Sequence, residues 1–428
     1  MADYTLSAQQ DRYAHLLVRT GLNLQPGQSL RIGAEVAHRD FVQRVVAAAY
    51  QAGARYVHVD WQEPLTAKAR YLHSAPENLE YLPDYEIARH RQMVEEGWPR
   101  LSLVGNEFPD IFDDVDPTRM RQVAAARSRH LKFYMQAVMA NRMQWCVAAV
   151  PTPAWATRVF PNQPAEEAME RLWTTIFRTC RLDREDPVAA WRQHDQQLKQ
   201  VVTFLAARQV QALHFVDSTP GPDGKPRTDL TVGLTDRPQW LAASAVTPSG
   251  VTFFPNMPTE ELFTTPHNGR THGWVRTSKP TFPFDREVAN AYFRFEEGEV
   301  VEFHAETGQD VLAQFFQIPG TRRLGEVALV DVRSPVSQAD VLFYEILFDE
   351  NAACHIAFGE AYPGGVQGGD GLAPEELEAL GVNKADAHLD VMIGTPTMRV
   401  EGLCADGSRV TIMDAGQFVP EILGKAQG

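Results

Sequence analysis

A strand, a helix and a second strand follow one another between residues 29 and 61, and that order restricts the fold more than any other pattern in the chain. SLRIGAEV (29–36) reads as a strand, and Asp40 is placed to cap a helix whose Val42, Val45, Val46 and Ala49 form an apolar stripe. Gly53 closes that helix, and YVHVDW (56–61) reads as the next strand. Two strands joined by one helix lie parallel with a right-handed crossover. The alternation returns with RLSLVGN (100–106), a helix over about 117–141, WCVAAVP (145–151), helices near 164–181 and 187–208, and ALHFVDS (212–218). Upstream, Tyr13, Leu16 and Leu17 at helical spacing place a further helix over 7–21, ended by Gly21. The first half is therefore expected to be an α/β domain built on an open, layered sheet. No GxGxxG follows its first strand, and no GxxxxGK followed by Ser or Thr occurs anywhere, so it carries no nucleotide-site signature.

The pattern changes at TPGPDGKP (219–226), where Pro and Gly interrupt it. Beyond lie DLTVGL, GVTFFP, GWVRTS, the hairpin AYFRFEEGEVVEFHAE with its tip at Glu296 to Glu299, and GEVALVDV. A chain of 428 residues exceeds what one core usually organises. The expectation is an α/β N-terminal domain over 1–220 and a strand-rich α+β catalytic domain over 221–428.

A formal net charge of −15 argues against nucleic acid as a partner, because phosphate backbones are held by clustered Lys and Arg. Cys146, Cys180, Cys354 and Cys404 form no CxxC pair, which suggests neither a disulfide framework nor a thiolate zinc site and fits a reducing compartment. No window approaches a spanning helix and the N-terminus has no leader-like apolar core, so no membrane is implied and a cytoplasmic protein is expected.

Polar chemistry concentrates in the second half. Residues 345–362 place Glu350, Asn351, Cys354, His355 and Tyr362 among Ile346, Leu347, Phe348, Ile356 and Phe358. Polar groups in such a background need partners or a bound ion. In ADAHLDVMIGT (385–395), Leu389, Val391 and Ile393 alternate with His388, Asp390 and Met392, so His388 and Asp390 share one face of a strand. PNMPTEELFTTP offers Glu260 and Glu261, and Glu326 sits in an otherwise apolar run from Leu324 to Val330.

Each of these has a plainer explanation. Glu260 and Glu261 follow Pro258 and Thr259 and suit a helix first turn. Glu326 can pair with Arg322 or Arg323, and a lone histidine is more often hydrogen-bonded in a core than a ligand. Cys354 and His355, adjacent on a strand, face opposite ways and make a poor thiol nucleophile and base. His267 and His272 fall in a loop with a solvated or substrate-contacting role, His304 is structural, and PGGVQGGDG (363–371) is a mobile loop near the site. Taken together, the carboxylates and two imidazoles suit two divalent ions bridged by a carboxylate and a water. The residues themselves do not separate Glu260 from Glu261.

The segments NMPTEELFTTP, LGEVALVD, LFDENAACHIAFGEAYP and HLDVMIGT, in that order, resemble the aminopeptidase T family of dinuclear metallo-aminopeptidases, which includes the PepS-type enzymes. GLNLQPGQSLRIGAEV and AAAYQAGARYVHVDW extend the resemblance over essentially the whole chain. The resemblance implies metal ligands at Glu261, Glu326, Glu350, His355, His388 and Asp390, a catalytic tyrosine at Tyr362, and Glu261 or Glu326 as the group that moves the proton of the attacking water. It also implies two divalent ions per chain (Zn, Co or Mn), short peptide substrates with a free N-terminus, and a homodimer around an interior cavity. A binuclear hydrolase of other amides or esters, or a metal-binding scaffold without turnover, stays open beside it, and Tyr362 distinguishes the scaffold from an enzyme.

Overall fold

The computed structural model describes residues 5–424. The described residues form two compact units, one of those up to 191 with 244–258, the other of 192–243 with those from 259 onward.

The first unit is built on a parallel sheet. Strands β1 (Ser29–Glu35), β2 (Tyr56–Gln62), β3 (Arg100–Val104) and β4 (Trp145–Ala149) lie in the order β4-β3-β1-β2, and the short strand Asn256–Met257 adds to β4. The expected helix between β1 and β2 is Arg39–Gln51, burying Phe41, Val42, Val45, Ala48 and Ala49. Asp40 does not cap it. The N-cap is His38, and Asp40 lies in the first turn, where its charge still suits the helix dipole. Gly53 takes φ +95° beyond the helix end, which a side chain resists. The helix expected over 117–141 is two, Pro117–His130 and Lys132–Met139, because Leu131 leaves helical geometry at ψ 17°. Helices Ala165–Thr179 and Pro187–Ala207 match expectation.

The Pro/Gly stretch at 219–226 is not a linker. It turns strand Val210–Pro220 into its antiparallel neighbour Pro226–Leu234. Both strands belong to the second unit, so the strand expected at 212–218 in the α/β half is part of the other sheet system.

The second unit carries an eight-stranded and a five-stranded antiparallel sheet. The five-stranded sheet runs His388–Met392, His355–Gly359, Leu324–Val330, Glu261–Thr264, Leu241–Ala242. Its register rows alternate between two faces. One face presents Leu262 and Leu329, Val327 with Ile356 and Val391, and Phe358 with Leu389, all in the unit's apolar core. Phe358 packs there against Phe293 and Phe316, with ring centroids 4.8 and 5.2 Å away. Among the described residues, no helix is long and apolar enough to cross a membrane.

Candidate metal centre

The other face of the five-stranded sheet carries the polar groups. With side chains alternating at period two, Glu261, Glu326, His355, His388 and Asp390 all fall on it. The register sets Ala357 between Glu326 and Asp390, and pairs Gly359 with His388. Small residues thus leave room between the larger polar ones. A bulge between Leu324 and Glu326 fixes the phase of that strand. A Cβ at Gly325 would lie 2.3 Å from the Glu360 carbonyl oxygen, so only glycine fits.

Two sets of donor atoms result. Glu261, Glu326 and His355 form one, and Glu326, His388 and Asp390 the other, each with its atoms within 4.8 Å of one another. His355 Nε2 lies 3.2 Å from Glu261 Oε2 and 3.5 Å from Glu326 Oε1. His388 Nε2 lies 3.2 Å from Asp390 Oδ1 and 3.8 Å from Glu326 Oε2. Glu326 is common to both sets and turns a different oxygen to each.

The imidazoles are oriented from behind. His355 Nδ1 is 3.2 Å from the Ala353 carbonyl, and His388 Nδ1 is 2.7 Å from that of Glu360. A proton on each Nδ1 leaves Nε2 as the lone-pair donor, the usual outer support of a metal-binding histidine.

Burial raises the Glu326 carboxyl to about 7, against the pull of His355 and with added repulsion from Glu261 and Asp390. Burial also lifts Glu350, which feels Glu261, Asp390 and Glu326 as like charges. Burial opposes a charge on His355, yet Glu261 and Glu326 hold its pKa well above the ordinary value. Among the described residues no Lys or Arg forms an ion pair with Glu261, Glu326, Glu350 or Asp390. Glu261 Oε2 is buried without a hydrogen bond. A buried carboxylate oxygen with no hydrogen bond, only His355 Nε2 at 3.2 Å, amid further carboxylates and two supported imidazoles fits a divalent cation, which would satisfy the oxygen and offset the repulsion.

Glu350 comes from a different element, the 3-10 turn Glu350–Ala352 that follows helix Ile346–Asp349. It lies outside both donor sets but within electrostatic reach of them. Tyr362 sits at the end of the same chain segment, with its ring centroid 5.2 Å from that of His388 and 6.1 Å from that of Phe263. Burial and the surrounding carboxylates, Glu326 first, push its phenol well above the ordinary range, so it keeps its proton. Thr265 Oγ1 donates to the Tyr362 carbonyl at 2.6 Å and holds the backbone there.

The plainer explanations fail at several positions. Glu261 begins a strand, not a helix. Arg323 is engaged by Glu299 and the Asn268 carbonyl, and Arg322 by the Val300 carbonyl, so neither serves Glu326. His267 and His272 lie on strand Pro266–Arg276, where their Nδ1 atoms accept backbone N–H groups from Gly269 and Glu297. The Gly-rich loop after Tyr362 is pinned, since the Gly365 carbonyl accepts from Gln239 N and Thr264 Oγ1. Glu260 is buried at 3.4 Å from His194 Nε2 and belongs to neither donor set. The supporting residue with no assigned role in the sequence is Asn351. It is fully buried, accepts from Glu260 N at 2.6 Å, and donates to the Leu347 carbonyl at 3.0 Å.

Residues 6–418 match the thermophilic metalloprotease family (M29). The chain is 40% identical to aminopeptidase 2 of Geobacillus stearothermophilus over 96% of its own length and 98% of that protein's. It is 38% identical to aminopeptidase PepS of Streptococcus thermophilus, over 96% and 97% of the two chains. The structure of wild-type AmpT from Thermus thermophilus superimposes with a TM-score of 0.87 at 36% identity, covering 97% of this chain and all of the other. The chain belongs to the thermophilic metalloprotease family M29.

Proposed function

We propose that this protein is an aminopeptidase that removes N-terminal residues from short peptides, using two divalent ions (Zn, Co or Mn) held by Glu261, Glu326, Glu350, His355, His388 and Asp390. The observation that carries this reading is the position of Glu326, whose two oxygens face different histidines and so serve two donor sets at once. The relatives' names, aminopeptidases throughout, support the exopeptidase part. Such a pair of ions, when bound, activates a water and polarises the scissile carbonyl.

The chain's own residues do the rest. His355 and His388 offer Nε2 in a fixed tautomer because backbone carbonyls occupy Nδ1. Glu261, whose Oε2 is buried with His355 Nε2 3.2 Å away, takes the proton of the attacking water and passes it to the leaving amine. Tyr362, held protonated, donates a hydrogen bond to the oxyanion of the tetrahedral intermediate. The same reading makes the protein a homodimer, and a cytoplasmic one, in keeping with four buried cysteines that form no disulfide. Sedimentation gives the mass directly.

Metal analysis of purified protein, alongside hydrolysis of aminoacyl-p-nitroanilides with free and acetylated amines, tests the proposal. Near two ions per chain and chelator-sensitive cleavage of only the free-amine substrates are expected. Cleavage of acetylated substrates at equal rates would move the assignment to another amide hydrolase, and no retained metal after add-back of Zn, Co and Mn would remove the site.

A further inference from the structure

A parallel sheet covered on both sides normally reads as apolar runs, yet one face of the first unit's sheet is polar. Its register sets Arg31 between His58 and Arg100, and in the next row Gly33 between Asp60 and Ser102. Arg31 is only 7% exposed. Its Nε donates to Asp60 Oδ2 at 2.5 Å, and its two terminal nitrogens fold back over Gly33, 3.8 and 3.9 Å from where a side chain there would begin. Among the described residues those terminal nitrogens have no hydrogen-bond partner. Arg100 on the adjacent strand donates through Nε to Ser102 Oγ at 3.0 Å, and no described carboxylate pairs with it.

Local acids cannot balance these cations. Asp60 is already shared by Arg31, Arg89 and His58, and those partners hold it down to about 2 against the cost of burial. Glu86 is engaged by Arg89 at 2.7 Å. Arg127 adds a further positive charge near Arg100, whose own pKa is lowered by burial and by Arg31 and Arg127. Arg31, Arg89 and Arg100, with Arg127 near Arg100, thus have only Asp60 and Glu86 to set against them in a chain whose net charge is −15. The terminal N–H groups of Arg31 and Arg100 have no acceptor among the described residues, and the planar fork of a guanidinium matches carboxylate and phosphate oxygens.

We propose that this face of the first unit is an anion-binding site, in which a phosphate or carboxylate group sits over Gly33 and accepts hydrogen bonds from the terminal nitrogens of Arg31 and Arg100. The missing side chain at Gly33 makes the space, and Ser102 leaves the neighbouring row low. No residue of this site belongs to the carboxylate–imidazole nest.

Isothermal titration calorimetry of the full-length protein tests this with inorganic phosphate in one arm and succinate in the other, at an ionic strength held constant with chloride. Saturable binding of at least one anion is expected, weakened at least tenfold by Arg100→Gln. Gly33→Asp, which supplies a carboxylate from within, should abolish it. Saturation by phosphate alone identifies a phosphate-bearing ligand, and by succinate alone a carboxylate. No saturable heat in either arm overturns the proposal, as does binding that Gly33→Asp leaves unchanged. The latter variant decides the matter should Arg100→Gln fail to give a folded circular dichroism spectrum.

Discussion

Asn351 Oδ1 accepts the backbone N–H of Glu260 at 2.6 Å, tying the turn that carries Glu350 to the residue immediately before Glu261. Its Nδ2 reaches back to the Leu347 carbonyl at 3.0 Å and to Glu350 Oε1 at 3.4 Å, so one buried amide fixes two carboxylates from separate elements. Neither carboxylate is set by its own strand or turn alone, because Glu261 opens a strand of only four residues.

Asn351→Ala should therefore do two things. It leaves the Glu260 N–H and Leu347 carbonyl unsatisfied in a buried place, at a cost of about 1–3 kcal/mol for each orphaned group. It also frees Glu261 and Glu350 to move apart. Urea denaturation should show a lower midpoint, and equilibrium dialysis should show weaker metal retention, although no proposed ligand has been removed. Unchanged retention would mean that the nest is held without this clamp.

Tyr362→Phe removes a hydroxyl and nothing else. The residue contacts the Phe263 and His388 rings through its own ring, which phenylalanine keeps. Turnover should fall by about 10²–10³-fold with little change in metal content, the loss associated with one oxyanion donor. The comparison of kcat with bound metal per chain checks it. A fall in both together would assign Tyr362 to holding the site rather than to the chemistry.

Ala357 sits in register between Glu326 and Asp390 and is fully buried. Ala357→Val adds bulk where the two carboxylates need clearance, and overpacking of this kind costs about 1–3 kcal/mol. The variant should bind metal more weakly than wild type even though the donors are intact. Chelation of the wild type should lower Tm, and add-back should restore it, because a ligand that binds only the folded state adds about 2.7 kcal/mol at 100 times its Kd. In Ala357→Val the restored increment should be smaller. Differential scanning calorimetry with and without metal measures both.

The alternation at 388–392 was legible in the sequence because a strand's period of two is local, and it put His388 and Asp390 on one face without knowledge of any partner strand. Glu260 and Glu261 could not be separated that way. What separates them is the pairing of Glu261 with Val330, a contact between positions far apart in the chain, which puts Glu261 on the polar face of the sheet. The stretch at 219–226 misled for the same reason. Pro and Gly mark a linker and a hairpin turn alike, and only the long-range pairing of Ala212 with Gly233 decides between them. Asn351 stood out locally only as a polar group in an apolar run, and Ala357 not at all, since a buried amide and a small residue gain their role from what lies across the sheet or turn.

His38 gives the first unit an acid-sensitive joint that is independent of metal. The ring is 1% exposed, and its Nε2 donates to the Gly105 carbonyl at 2.9 Å, joining the end of β1 to the end of β3. Burial lowers its pKa from 6.5 to about 4, despite the opposing effect of that hydrogen bond. The folded state thus binds a proton less readily than the unfolded state. Above pH 6.5 both states are neutral and the group has no effect. As pH falls from 6.5 towards 4 the unfolded chain takes up the proton first, so stability is lost across that window, by about 3 kcal/mol in all. His38→Gln keeps an N–H for Gly105 but cannot titrate. Chelated wild type and variant, compared by urea denaturation at pH 7.5 and 4.5 with tryptophan fluorescence, should differ in their pH dependence by about 2–3 kcal/mol, the variant losing less. Parallel losses in the two proteins would show that acid enters the fold elsewhere.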